Sequence, residues 1–124
     1  MRFLLYTLLT SVFISCYSGN NTDVLSFKTG AFKTYLGQRK DSSSFYRTEK
    51  LQIESYRNKI DTFDIHWKSN FEYELRKVNP QSKLDSIPFV VKIIAIKESS
   101  YQFKGAYLGS NFKQEGTTYK ISRE

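Results

Sequence analysis

The sequence predicts an all-β domain, a small antiparallel meander that closes into a barrel or half-barrel, with a two-sheet β-sandwich as the alternative. Three observations carry this. Apolar residues alternate with polar ones through most of the chain after Asp23. Short turn-forming links separate the alternating runs. Aromatic residues make up 16% of the chain, mostly Phe and Tyr, which suit a half-buried pleated surface. A meander must cover or close its two edges, and an up-and-down barrel does so.

The elements follow in order. Ser26 to Thr34 holds Phe27 and Phe32 around Gly30, and this odd spacing predicts a bulge at the glycine. Phe45 to Arg57 contains Tyr46, Leu51, Ile53 and Tyr56 and reads as two short strands. Glu49 to Tyr56 also fits a helical turn, because Ile53 and Tyr56 share a helical spacing. Ile60 to Trp67 puts Phe63, Ile65 and Trp67 on one face and Asp64 and His66 on the other. After the turn Lys68-Ser69-Asn70, Phe71, Tyr73 and Leu75 point one way and Glu72, Glu74 and Arg76 the other. The two segments therefore form an antiparallel hairpin.

Val78 to Pro88 is polar and reads as a longer loop. Pro88 to Lys97 is strongly apolar, with Phe89, Val91, Ile93 and Ala95 on one face and Val90, Ile94 and Ile96 on the other. Lys92 interrupts the second face. Such a strand is central and covered on both sides, or closed in a barrel. Tyr101, Phe103 and Tyr107 alternate with Gln102 and Lys104, Gly109-Ser110-Asn111 turns the chain, and Thr117, Tyr119 and Ile121 mark a last strand ending near Arg123. Seven or eight strands in this order give the barrel a lipocalin-like character.

The N-terminus has a different pattern. Arg2 precedes an apolar run from Phe3 to Ile14, and the small Ser15 stands before Cys16, the chain's one cysteine. Charge, apolar run and small residue in that order are an export signal. The run is short of the ~20 apolar residues that a membrane span needs. Phe13-Ile14-Ser15-Cys16 resembles the lipobox of bacterial lipoproteins, with Phe13 where Leu is usual. That resemblance implies cleavage before Cys16, acylation (palmitate-type lipid) of Cys16, and anchoring to a membrane. The division is then a signal peptide over 1–15, a lipidated cysteine and polar tether over 16–23, and a single β domain over 24–124. Phe-Lys-Thr-Gly-Ala-Phe-Lys at 27–33 and the aromatic hairpins after it resemble small outer-membrane lipoproteins of unassigned function from flavobacterial-type bacteria. Some of those carry topoisomerase names; no motif here supports that chemistry. Tyr17 is not the Asp of inner-membrane retention, and the tether lacks an acidic cluster. The expected location is the cell envelope, on the periplasmic face of the outer membrane.

The chain carries a formal charge of +7, which loses only Arg2 on cleavage. Basic surfaces favour anionic lipid, acidic glycans or nucleic acid, and an export signal argues against nucleic acid. Lys and Arg are spread along the chain, as solubility alone would require.

Chemistry is sparse. His66 is the one histidine, with Asp64 on the same strand face, and no motif supplies a nucleophile for it. Asp61 and Asp64 are three apart, which on a strand sets them on opposite faces. No clustered ligands suggest a metal, and no glycine-rich loop suggests a cofactor. Trp67, Phe71, Tyr73, Phe89, Tyr101, Phe103 and Tyr107 either fill a small barrel or line a cavity in it. Aromatics interleaved with lysines also resemble oligonucleotide-binding barrels. Asn20-Asn21-Thr22 fits a glycosylation triplet, and Asp85-Ser86-Ile87 resembles a triplet O-glycosylated at its serine in exported flavobacterial-type proteins. The expected function is a non-catalytic, lipid-anchored envelope protein whose β domain binds an unidentified partner or a small apolar ligand. The alternatives are an envelope-acting hydrolase using His66, or a basic nucleic-acid-binding barrel if the signal is not processed.

Overall fold

The structure is a computed structural model and describes residues 24–37 and 41–121. The segments read as signal (1–15) and tether (16–23), with Cys16, and Arg123 lie outside those residues. The described chain folds as one closed barrel, and the sandwich alternative is ruled out. Its strands are β1 (Gly30–Leu36), β2 (Ser42–Arg47), β3 (Leu51–Tyr56), β4 (Lys59–Ser69), β5 (Glu72–Lys77), β6 (Phe89–Ile96), β7 (Ser100–Tyr107) and β8 (Gln114–Ile121). Each pairs antiparallel with the next, and β8 returns to β1 with Ala31 opposite Ile121 and Leu36 opposite Gly116. Sequential hairpins closed on themselves leave no free edge. This is the lipocalin-like architecture that the alternation predicts.

Several local readings are corrected. Val24–Lys28 is a 3-10 helix, and Gly30 begins β1 at φ 116°. The odd Phe27/Phe32 spacing thus marks a helix-to-strand junction and not a bulge. The helical alternative over Glu49–Tyr56 gives way to β3. Its link to β4 is Arg57-Asn58, both with positive φ (46° and 64°), the two-residue hairpin turn that matches strand twist. Phe71 lies in the turn before β5 and is 53% exposed, because the register shifts between Trp67 and Ser69. A second shift, between Ile93 and Ala95, moves Ala95 to the exposed side and lets Ile96 pack against the core. The apolar members of β8, Tyr119 and Ile121, face out, while Thr118 is buried.

The core is the barrel interior. Phe32 stacks on Phe45 at 5.0 Å, and Ile65, Leu75, Val91, Ile93 and Phe103 fill in around them. The outer wall carries ion pairs, among them Lys68–Glu74 (3.4 Å) and Lys104–Glu115 (3.4 Å), beside exposed Tyr46, Ile53, Ile94, Tyr119 and Ile121. Among the described residues no helix is long and apolar enough to cross a bilayer.

Candidate functional site

The two ends of the barrel differ. At the base, the 3-10 helix plugs the interior. Phe27 is fully buried and meets Tyr101 edge-on at 5.1 Å. Lys120, on β8, donates to the carbonyl of Ser26 and holds the plug from one side. Arg47 holds it from the other, because β2 turns Phe45 and Arg47 inward together.

Arg47 is 1% exposed. Its Nε donates to Gln52 Oε1 (2.8 Å) and its terminal nitrogens to Phe27 O (2.9 Å) and Tyr101 Oη (3.0 Å). Its guanidinium lies 4.4 Å from the ring centre of Tyr73 and 4.6 Å from that of Phe45. Among the described residues no carboxylate pairs with it. The charge is held by neutral oxygens and aromatic faces, the environment a weakly hydrated, delocalised cation tolerates best. Tyr73 Oη bonds Tyr101 Oη at 3.0 Å. Burial pushes the Tyr73 hydroxyl well above its ordinary pKa, against the pull of Arg47, so it stays protonated.

The other end is open. Above the Arg47 layer the interior is a cavity of about 280 Å³. Its depth is mixed: Phe45, Phe63, Leu75, Phe89, Val91 and Phe103 line it together with the buried Tyr73, Gln52 and Thr118. Its mouth is charged. Glu54, Asp61, Lys77 and Asp85 all line it. Lys77 Nζ lies 3.4 Å from Asp61 and 3.5 Å from Asp85. Glu54 stands directly opposite Asp61 in the β3–β4 register. Burial, and then the Asp61 charge, hold its carboxyl above the usual carboxylate range. The Glu54 carboxylate has no ion pair or hydrogen bond among the described residues. Gly105 leaves room for Phe89; a Cβ there would come within 2.6 Å of the Phe89 ring.

The interior is therefore filled at the base and hollow at the mouth. Of the seven predicted aromatics, Tyr73, Phe89, Phe103 and Tyr107 line the cavity. Tyr101 lies in the Arg47 layer, and Trp67 packs on Tyr73 at 4.7 Å. Phe71 is outside and takes no part. The rest face the interior, while Tyr46, Phe112 and Tyr119 are exposed. His66 is exposed on the outer wall opposite Glu74, away from the cavity. No described residue hydrogen-bonds or ion-pairs with its imidazole. Asp61 faces the mouth and Asp64 the outside, the split that a three-residue spacing on a strand requires. Ser86 is exposed in a short 3-10 turn (Leu84–Ser86), its hydroxyl donating to Lys83 O at 2.6 Å. No cluster of three potential metal ligands occurs among the described residues.

Arg47, Glu54 and Lys77 went unmarked in the sequence reading. Arg47 carries a usable signal, because it continues the inward alternation of Ser43 and Phe45. The Glu54–Asp61 pair needs the β3–β4 register, which no single strand pattern supplies. Comparison with known protein families, with characterised proteins and with solved structures finds no match to this chain.

Proposed function

We propose that this protein is a lipid-anchored component of the bacterial cell envelope whose barrel holds a small, largely apolar ligand. The carrying observation is the cavity of about 280 Å³ inside the barrel, where Phe45, Phe63, Leu75, Phe89, Val91 and Phe103 supply the apolar lining. A cup of that kind, with a few polar groups at its lip, is the usual form of a small-molecule site. The anchoring half of the proposal rests on the signal-like N-terminus and Cys16, and it favours the periplasmic face of the outer membrane.

Native mass spectrometry of the protein purified from its own membranes tests both halves. The expected species is residues 16–124 plus acyl chains, lost in Cys16→Ser, carrying a small molecule released by organic solvent. An unmodified full-length mass would remove the anchor. A species that takes up no small molecule under any loading condition would remove the ligand.

A further inference from the structure

The cavity's charges are lopsided. Among the described residues that line it, three are carboxylates (Glu54, Asp61 and Asp85) and one is an ammonium (Lys77), in a chain whose total charge is +7. Lys77 is already shared between Asp61 and Asp85. Glu54 is left facing Asp61 on the cavity wall, without a cation among the described residues. A partly buried carboxylate in that position is stabilised by a cation delivered from the open side.

Resting on the ligand-cup reading, we propose that the ligand is an organic cation: a protonated amine at the mouth, seated between Glu54 and Asp61, carrying an apolar or aromatic body that fills the depth. The depth is lined by Phe45, Phe63, Phe89 and Phe103, which favour an aromatic or compact alkyl body. At ~30 Å³ for a water-sized group, the cavity admits roughly nine such groups. The amine donates hydrogen bonds to the carboxylates and replaces the missing countercharge. A carboxylate-headed ligand would add a fourth anion to the same lip. The raised pKa of Glu54 agrees with a carboxylate short of a cation.

Three water-soluble probes of matched size separate the possibilities: phenethylammonium, 2-phenylethanol and 3-phenylpropanoate. Each is titrated into the purified protein and followed by amide chemical shifts of β3, β4 and β6. The expected order is phenethylammonium tighter than phenylethanol by about tenfold or more, with phenylpropanoate weakest, as a single unit-charge contact at intermediate dielectric allows. Glu54→Gln should remove most of the amine's advantage over phenylethanol. Lys77→Met should move the amine the other way, to tighter binding. Phenylpropanoate binding as tightly as the amine, or Glu54→Gln without effect on it, overturns the cation assignment and leaves the cup reading intact. Failure of all three probes to shift any cavity residue overturns the cup reading and this inference with it.

Discussion

Replacing Arg47 with methionine tests whether the plug is held by the guanidinium or merely accommodates it. The substitution keeps an apolar stem of similar length and strands two buried acceptors, Phe27 O and Gln52 Oε1, while Tyr101 Oη keeps its bond to Tyr73 Oη. Each unsatisfied buried acceptor costs about 1–3 kcal/mol. Loss of the contacts to the Tyr73 and Phe45 rings adds roughly 1 kcal/mol. Against this, the variant no longer desolvates a charge that lacks a carboxylate, a relief of several kcal/mol. The net destabilisation should be about 2–4 kcal/mol. For a barrel of this size that is a fall in melting temperature of roughly 10–25 °C. Thermal melts and urea titrations measure it, and an unchanged m-value would show that the same surface is exposed on unfolding. Arg47→Lys should fall between, since a point-like ammonium cannot reach three acceptors from one plane. An Arg47→Met protein as stable as the parent would refute the reasoning. The guanidinium would then cost as much as it contributes.

Three further predictions concern other positions. Gly116→Ala sets a Cβ 2.6 Å from Tyr35 O, on the neighbouring backbone at the β1–β8 seam, and should cost about 1–3 kcal/mol in a thermal melt. Lys120→Met removes the donor to Ser26 O; hydrogen exchange should quicken at 24–28 while global stability drops by only about 1 kcal/mol. Glu54→Gln should raise stability at neutral pH. A carboxyl whose folded pKa is raised contributes most stability below its unfolded value, 4.5, and loses it as pH rises through the folded value. The variant's advantage should therefore shrink as the pH falls toward 4.5, and an advantage that persists in acid would contradict the cause assigned here.

The barrel was legible because period-two alternation survives in β4, β5 and β7, where the inner face is aromatic and the outer face charged. It blurred where tertiary geometry overrode it. Phe71 and Ala95 changed faces because register shifts insert a residue, and nothing in Trp67-Lys68-Ser69 or Ile93-Ile94-Ala95 announces them. The Val24–Lys28 helix is too short for a helical period to show. The β3–β4 turn lacks the usual Asn-Gly signal, since Arg57 occupies a position that glycine or asparagine generally fills. The apolar lining of the site was half visible as a list of aromatics. Its acidic lip was not, because Glu54 and Asp61 meet only across strands, and Arg47 looked like any surface arginine until burial gave it a role.

The closing of β8 onto β1 has a mechanical consequence. The start of β1 and the end of β8 lie side by side at the plugged end, Ala31 opposite Ile121. A load applied across the two chain ends does not shear the β1–β8 ladder all at once. It peels the seam from the base upward, one pair after another, and dislodges the helix that Arg47 and Lys120 pin before any mouth residue moves. The cup is therefore the last part of the barrel to yield to tension, and a weight hung from either end pulls on the side away from its opening.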